Sequence, residues 1–220
     1  MTIKRKKEPW PTKAVMHQIY ENKMWGGDKT VDYFSGNGSH APEFVVPYVK
    51  EVLCFLSSFQ KKIIVCDLGC GDFNVGKQLV PLTKKYIAVD IVPNLIERNK
   101  QLFKEENLEF LCLDISNDKL PNADCAIVRQ VIQHLSNAEI VSFLKKLRNY
   151  KYLIITEHLP IGSFVPNEDI LSGQGIRLKK NSGVDILQPP FLAKTKLIKN
   201  LTISSYDSKS AIFTNLYQNF

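Results

Sequence analysis

Residues 63–72, with the sequence Ile-Ile-Val-Cys-Asp-Leu-Gly-Cys-Gly-Asp, constrain the fold of this chain more than any other stretch. Four apolar residues before Asp67 predict a buried parallel strand, because a strand covered by helices on both faces does not need to alternate. Gly69 and Gly71 then permit a tight turn and a close approach of the backbone to a ligand. Residues 73–82 carry a helical pattern, which predicts a helix whose free N–H groups face that ligand. Strand, turn and helix together predict a binding site.

Two phosphate-binding motifs do not fit this turn. A dinucleotide fingerprint needs a third glycine where this chain has Asn74. A phosphate-cradling loop needs a Gly-Lys-Ser/Thr sequence, but Gly76-Lys77 is followed by Gln78 and lacks the preceding spacing.

Acidic residues around the turn favour a different kind of ligand. Asp67 and Asp72 place carboxylates on the loop, which would repel a pyrophosphate but suit an ammonium or sulfonium group. The next predicted strand, residues 86–89, ends at Asp90, where an acidic side chain can accept both hydroxyl groups of a ribose. We therefore expect a ligand that combines a ribose with a positive charge.

Three motifs resemble those of the class I S-adenosylmethionine-dependent methyltransferases. Asp67-Leu68-Gly69-Cys70-Gly71 is similar to their first motif, Asp90 to their ribose-binding acid, and Leu113-Asp114-Ile115 to the strand end that contacts adenine. The resemblance implies S-adenosyl-L-methionine as the cofactor, S-adenosyl-L-homocysteine as the product and methyl transfer as the reaction.

The resemblance is closest to a subgroup of small bacterial enzymes that are often found among polysaccharide-assembly proteins. Five segments carry it in the same order: residues 35–39, 70–74, 90–93, 129–135 and 167–170. The cofactor site that it implies comprises Asp67, Gly69, Cys70, Gly71, Asp72, Asn74, Asp90, Ile91, Asp114, Ile115, Arg129, Ser35 and Gly38. No metal site is expected.

The order of the predicted elements favours an α/β fold. Alternating strands and helices continue beyond the turn, with strands at residues 108–115, 123–130 and 150–158. Two final strands, residues 194–206 and 210–218, are predicted to form a hairpin. We expect a Rossmann-like seven-stranded methyltransferase sheet, mostly parallel with a C-terminal antiparallel hairpin and with helices on both faces.

The chain divides into two predicted parts. Residues 1–41 form an N-terminal arm and cap, with a basic run at residues 4–7, a short helix at residues 15–25 and glycine-rich loops that close over the cofactor. Residues 42–220 form the methyltransferase domain. Within it, residues 160–192 hold many glycines and prolines without a sustained period, and we expect them to form a substrate lid.

Several polar residues near the predicted strand ends are candidates for catalysis. Methyl transfer is an in-line displacement, so orientation supplies most of the catalysis and a base is optional. If the acceptor is a hydroxyl, His134 or His158 can take its proton. If it is a carboxylate, Arg129 or Arg177 can hold it. Structural roles remain open as well. His134 can be a hydrogen-bonded loop residue, and His158 can have a purely structural role. Arg129 can form an ion pair with Asp114 or Glu157.

Composition restricts the class of protein. A chain of 220 residues supports one well-buried domain, and its short apolar runs and basic start predict a cytoplasmic protein without a membrane span or secretory signal. The five cysteines lack the spacing of zinc ligands and are expected to be reduced. The net charge of +7 allows an anionic partner, but its scattered lysines predict a solvated basic surface rather than a nucleic-acid face.

We therefore expect a methyltransferase that acts on a small molecule or a saccharide, as a monomer or a homodimer. Two alternatives remain at this point: a catalytically weak cofactor-binding partner subunit, and an RNA methyltransferase. The RNA alternative is disfavoured because the predicted fourth strand ends in Arg129-Gln130-Val131-Ile132 rather than in an Asn/Asp-Pro-Pro-Tyr-like motif.

Overall fold

A computed structural model describes residues 10–28 and 32–220, which form a seven-stranded sheet with helices on both faces. The strands are β1 Ile64–Leu68, β2 Lys85–Asp90, β3 Leu108–Cys112, β4 Cys125–Arg129, β5 Tyr152–Pro160, β6 Thr195–Ser205 and β7 Ser210–Asn219. The helices of this part of the chain are α1 Thr12–Glu21, α2 Pro42–Ser57, α3 Pro93–Leu102 and α4 Asn137–Leu147. The basic run at residues 4–7 lies outside the described residues.

The sheet has the strand order β3-β2-β1-β4-β5-β7-β6. Strands β1 to β5 pair in parallel, whereas β7 is antiparallel to both β5 and β6. The predicted fold class is confirmed, including the C-terminal hairpin. Because the order reverses beside β1, the ends of β1, β2 and β4 meet at one edge, which is where ligands bind in such sheets.

Alternate residues of β1 face two separate cores. Cys66 and Leu68 belong to a core that includes buried residues of α1 and α4, whereas Val65 belongs to a core that includes the buried face of α2. Each core therefore packs one face of the central strand, which explains why the strand needs no alternation of polar and apolar residues.

The prediction of a helix at residues 73–82 is wrong. Two short 3₁₀ turns, Gly76–Gln78 and Val80–Leu82, replace it. Phe73 has a φ of 66°, and its ring lies fully buried where a Cβ on Gly76 would approach it to 2.4 Å. Pro81 has no N–H for an α-helical bond. Consequently no helix N-terminus follows the glycine turn.

Other predicted boundaries shift by a few residues. The first helix begins at Thr12 and ends at Glu21, earlier than the predicted residues 15–25. Strand β3 ends at Cys112, so Asp114 lies in the loop beyond it rather than at its last position.

The predicted lid, residues 160–192, is an irregular segment with one short 3₁₀ turn, Arg177–Lys180. It packs on the loop after β4 through the Arg177 side chain, which is 1% exposed. Its role as a lid stays a prediction, as does the division at residue 41. No helix among the described residues is long and apolar enough to cross a membrane.

The capping box at the start of α4 provides a test of local stability. Ser136 accepts a hydrogen bond from the Glu139 N–H, and the Glu139 carboxylate accepts one from the Ser136 N–H. Ser136→Ala should lower the free energy of unfolding by about 1 kcal/mol, within a range of roughly 0.5–2, because the helix loses this cap. Urea unfolding measures the change.

The matched control is Ser58→Ala. Ser58 follows α2, and its exposed hydroxyl bonds only to the Phe55 carbonyl, so the change should stay within about 0.5 kcal/mol. Equal effects of the two substitutions would contradict a special role for the capping box.

Candidate functional site

A cavity of about 580 Å³ opens at the edge of the sheet where the parallel strands end. The residues that follow β1, β2, β3 and β4 line one side, and α1 with the residues after it lines another. Most of the predicted site residues lie here: Ser35, Gly38, Gly69, Cys70, Gly71, Asp90, Ile91, Asp114, Ile115, Arg129, His134 and His158. Asp67, Asp72 and Asn74 do not line this cavity.

The glycine turn lies against strand β2. The N–H groups of Gly69 and Cys70 both donate to the Val89 carbonyl, at 2.8 and 2.9 Å. Gly69 has a φ of 92°, and a Cβ there would lie 2.3 Å from Val131 Cγ2. Backbone conformation and lack of space therefore both require glycine at this position.

Asp90 joins the turn to the cavity. Its Oδ2 accepts the Gly71 N–H at 3.0 Å, and its Oδ1 accepts the Val92 N–H at 3.1 Å. Each carboxylate oxygen keeps a further lone pair. Burial raises the pKa of Asp90. The side chain is thus fixed in orientation and still has acceptor capacity for a ligand.

Asp114 caps a local turn. Its Oδ1 accepts the Ser116 N–H and its Oδ2 accepts the Asn117 side-chain amide, both at 2.8 Å. Asp114 therefore has a structural role in this turn, while Asp114 and Ile115 also line the cavity.

Residues of the glycine-rich segments before α2 line the cavity, and their role as a cap over the cofactor stays a prediction. Ser35 bonds to the glycine turn, because its Oγ accepts the Asp72 N–H at 2.9 Å. The Tyr20 hydroxyl lies 3.0 Å from the same Oγ atom. Trp25, also in the lining, packs edge-on against Tyr20 with ring centroids 5.1 Å apart.

Asp72 and Asn74 form hydrogen bonds to the residues before α2. Asp72 Oδ2 accepts the Ser35 N–H at 2.8 Å and lies 2.6 Å from His40 Nε2, while the Asn74 amide donates to the Ser39 carbonyl. Burial acts to raise the pKa of Asp72, but the bonds from His40 and the backbone outweigh it and the pKa lies below its usual range. We expected the Asp72 carboxylate to face the ligand. This expectation is corrected, because the carboxylate bonds to Ser35 and His40 of the cap.

Asp67 lies on the opposite side of the turn. Its Oδ2 accepts the hydroxyl of Tyr86 at 2.8 Å within the core that α2 covers. Burial raises its pKa to about 7, and the Tyr86 bond and the nearby Arg129 charge oppose the rise. Like Asp72, it acts on the shape of the loop and not through contact with the cavity.

Arg129 fastens the cap to the sheet. Its guanidinium donates to the Gly38 carbonyl and to Ser39 Oγ, the latter at 3.1 Å, and lies 4.8 Å above the Tyr48 ring. The ion pair with Asp114 or Glu157 considered from the sequence is not present. The Arg129 Nε atom is buried and has no partner among the described residues.

His134 has both ring nitrogens engaged. Nδ1 lies 3.1 Å from the Gly173 carbonyl, which requires an N–H there, so Nε2 accepts from the Gln133 amide at 3.2 Å. Burial lowers the pKa of His134 to about 4. The prediction that His134 is a catalytic base is not supported, because its lone pair is taken and its basicity is low.

Arg177 is not available to hold an acceptor either. Its guanidinium donates to the carbonyls of Glu168, at 2.7 Å, and Leu135, at 2.8 Å, and to the Asn137 side chain. These bonds tie the lid segment to the loop after β4. His158, in contrast, lines the cavity with its Nε2 atom 2.9 Å from Ser210 Oγ.

Sequence reasoning missed several lining residues. These are Thr12, Met16 and Tyr20 of α1, Gln130 and Gln133 after β4, Gln174 and Lys179 of the lid segment, and Tyr206 of the hairpin turn. The motif at residues 129–135 included two of them without distinguishing their roles. The α1 residues carried no signal beyond an amphipathic pattern.

Comparisons with known proteins agree with this geometry. Residues 65–150 match a family model described as a methyltransferase domain. A segment of 63 residues is 35% identical to a malonyl-[acyl-carrier protein] O-methyltransferase of Acetivibrio thermocellus, over 28% of this chain. The matched segment spans only 22% of that relative's length.

Solved structures share the fold across most of the chain. The N-methyltransferase NodS from Bradyrhizobium japonicum, solved with S-adenosyl-L-homocysteine, superposes with a TM-score of 0.68 at 13% identity, covering 93% of this chain and 98% of that one. Magnesium protoporphyrin IX methyltransferase from Synechocystis, solved with bound S-adenosylmethionine, superposes with a TM-score of 0.61 at 15% identity. The match covers 98% of this chain and 100% of that one. The chain therefore shares its fold with these two methyltransferases.

Two glycines provide a matched test of the turn. Gly69 and Gly162 both have a left-handed φ, 92° and 84°, but a Cβ at Gly162 would meet nothing within 4 Å. Gly69→Ala should therefore lower the free energy of unfolding by about 1–3 kcal/mol more than Gly162→Ala, because only the former overpacks against Val131. Urea unfolding of both variants gives the difference, and equal losses would show that the turn has room for a side chain.

The raised pKa of Asp67 predicts that the stability of the protein depends on pH. The folded protein keeps the carboxyl proton up to about pH 7, whereas the ordinary pKa is 3.8, so the folded state binds more protons between these values and its stability falls as pH rises. Asp67→Asn should remove this fall. The wild-type free energy of unfolding, minus that of the variant, should decrease from pH 4.5 to 7.5.

Asp124→Asn is the control, since Asp124 also accepts a backbone N–H, from Ile64, far from the glycine turn. Parallel pH curves for wild type and Asp67→Asn would contradict the raised pKa of Asp67.

Proposed function

We propose that this chain, which has the class I S-adenosylmethionine-dependent methyltransferase fold and a methyltransferase domain at residues 65–150, transfers a methyl group from S-adenosylmethionine to a small-molecule acceptor. One observation carries the proposal: the glycine turn and the acid of the next strand share a hydrogen bond, Gly71 N–H to Asp90 Oδ2, and both line one cavity. When bound, the cofactor supplies a methyl group activated on a sulfonium.

The residues present suit this cofactor. A cavity of about 580 Å³ falls within the usual range of roughly 300–1,000 Å³ for small-molecule sites. Two of its lining residues have buried donors without a partner in the described part of the chain, Trp25 Nε1 and Arg129 Nε. Since buried donors usually have partners, these two are suited to a ligand with several acceptor atoms.

We assign a part of the cofactor to each side of the cavity. Asp90 would accept the ribose hydroxyls with its free lone pairs. Ile91 and Ile115 offer apolar surface to the adenine ring, beside the Asp114 turn. Ser35 and Gly38 border the opposite part of the cavity with the glycine turn, where the amino-acid end of the cofactor would lie.

Electrostatics favours a positive ligand at this turn. Asp90 lies in the cavity, and Asp72, whose pKa lies below its usual range despite burial because His40 and the backbone bond to it, is charged directly behind the turn. Carboxylates at close range in a buried environment attract a sulfonium more strongly than they would in water.

Orientation is the main contribution that we expect from the chain. Holding the acceptor in line with the methyl group supplies roughly 7–11 kcal/mol of barrier reduction without a covalent intermediate. The cap, held by Arg129, and the lid segment, held by Arg177, cover the cavity from two sides. Both would keep water away from the reacting groups.

A saccharide or similar polar small molecule is the acceptor class we favour. The resemblance to enzymes of polysaccharide assembly supports it. So does the lining, which includes the Trp25 ring and the amide side chains of Gln130, Gln133 and Gln174. Aromatic faces with neighbouring amides suit a ligand that has apolar and hydroxyl-bearing faces.

Calorimetric titration with S-adenosylmethionine tests the cofactor assignment. Asp90→Asn keeps an oxygen for the Gly71 N–H but loses the charge, so affinity should fall roughly 10- to 100-fold, as expected for hydrogen bonds to a charged group. Asp124→Asn, remote from the cavity, should bind like the wild type.

Two results would count against the proposal. Absence of binding to the folded wild-type protein would overturn the cofactor. Unchanged affinity in Asp90→Asn would overturn the ribose assignment while leaving the cofactor in place.

A further inference from the structure

We propose that His158 is the catalytic base that takes the proton from a hydroxyl group of the acceptor, and that Ser210 and Asp207 are positioning residues for its ring. This inference rests on the proposed function and deepens it, because it assigns the acceptor to the hydroxyl class and the reaction to O-methylation.

Three side chains form a hydrogen-bonded chain that ends at the cavity. His158 Nε2 lies 2.9 Å from Ser210 Oγ, and Ser210 Oγ donates to Asp207 Oδ1 at 2.9 Å. His158 lies near the end of β5, Asp207 lies in the turn between β6 and β7, and Ser210 begins β7. His158 is also one of the residues that line the cavity.

The direction of these bonds fixes the tautomer of the ring. Asp207 also accepts the Lys209 N–H at 2.8 Å, as an ionised carboxylate does. Because Ser210 gives its only hydroxyl proton to Asp207, its Oγ must accept from His158. The Nε2 atom therefore carries the ring proton, and Nδ1 keeps a lone pair in the neutral ring.

The lone pair of Nδ1 is free. No protein group among the described residues bonds to it, and it is not among their buried unpaired polar atoms. His134, the other histidine of the cavity, has both nitrogens engaged. His158 is therefore the histidine of the lining that can accept a proton.

The ring is held in place on several sides. Tyr206 packs against it with ring centroids 4.5 Å apart, and Tyr206 itself stacks on Phe44 at 5.3 Å. The His158 backbone N–H donates to Gln133 Oε1 at 3.0 Å. Such support keeps a base within the narrow geometry that proton transfer requires.

The charge state suits a base. Burial lowers the pKa of His158, and the Asp207 charge opposes this change, so the ring is neutral at pH 7. The titratable groups that face it are the Tyr206 phenol and, through Ser210, Asp207. After proton transfer, Asp207 would stabilise the imidazolium through the Ser210 bond.

The reaction balances with these groups. The acceptor oxygen forms a bond to the methyl carbon while the carbon–sulfur bond breaks, and the sulfur keeps the electron pair as a neutral thioether. The hydroxyl proton passes to His158 Nδ1. The imidazolium then returns it to solvent, so that one methyl group and one proton leave their donors in each cycle.

A hydroxyl acceptor explains the lining better than a carboxylate does. A carboxylate needs no base but requires cations, and both buried arginines near the cavity donate to protein oxygens. Of these two arginines only Arg129 lines the cavity. The other cationic side chain in the lining is that of Lys179. A neutral amine needs no base before methyl transfer, so a histidine oriented by a serine and an aspartate favours a hydroxyl acceptor over a neutral amine.

Substitution of His158 tests its role in catalysis. His158→Gln keeps an amide N–H that can reach Ser210 but cannot take a proton. With tritiated S-adenosylmethionine and the small-molecule extract of the source cells, its turnover should fall roughly 10²- to 10⁴-fold, while calorimetric affinity for the cofactor stays unchanged. Turnover within about twofold of wild type would overturn the proposal.

The positioning residues are tested through the pH profile. The wild-type rate should decline only at a pH below the ordinary histidine pKa of about 6.5, because burial lowers the pKa of His158 and protonation of the imidazole removes the base. Asp207→Asn should move this decline to lower pH, because the Asp207 charge favours the imidazolium. Ser210→Ala should lower the rate roughly 10-fold, the equivalent of one hydrogen bond. Ser208→Ala, at an exposed position of the same turn, is the control, and identical profiles for all three variants would overturn the relay.

The stability of the product identifies the acceptor class. A methyl ether keeps its label in mild alkali and does not bind a cation exchanger, whereas a methyl ester releases volatile methanol and a methylamine is retained. We expect the first result, and either of the others would overturn this proposal alone. If the protein binds the cofactor but labels nothing in the extract, the proposed function fails and this inference with it.

Nitrogen NMR gives a readout that needs no acceptor, since the chain has only four histidines. His158 should be the Nε2–H tautomer at pH 7, and Ser210→Ala should weaken that preference. A proton on Nδ1 in the wild type would overturn the inference.

Discussion

The hydrogen bonds between the end of β2 and the glycine turn determine the rest of the site. Val89 accepts two N–H groups of the turn through its carbonyl, and Asp90 accepts a third, from Gly71, through its side chain. The acid that fixes the turn therefore also faces the cavity that the turn creates. Because the turn needs a left-handed φ at Gly69 and space against Val131, its shape depends on residues from two other segments.

Two buried arginines connect the cover of the cavity to the sheet. Arg129 bonds to the cap at Gly38, and Arg177 bonds to Leu135 and Glu168, which joins the lid segment to the loop after β4. Burying a guanidinium is costly unless its donors find acceptors, and backbone carbonyls supply most of them here. Both arginine charges therefore hold the cap and the lid segment in place.

Much of this organisation could be predicted from the sequence. The strand before Gly69, the strand that ends at Asp90 and the final hairpin follow from local pattern and spacing, and the structure confirms them. The prediction of a helix after the turn was wrong. The Phe73 ring is buried against Gly76, and this packing prevailed over the helical pattern of apolar residues. The roles of Arg177 and of the α1 residues depend on contacts between distant segments, and no local pattern encodes these. Histidine roles required hydrogen-bond directions, which only coordinates provide.

We propose that a charged nucleoside lies across the ends of β1 and β2. A crystal structure of the protein grown with both S-adenosyl-L-homocysteine and a nicotinamide dinucleotide tests this most directly. We predict the homocysteine compound in the cavity, with its ribose hydroxyls on Asp90 and its sulfur on the side of the cavity that His158 lines. A dinucleotide in that cavity, or a ribose bound away from Asp90, would contradict the account.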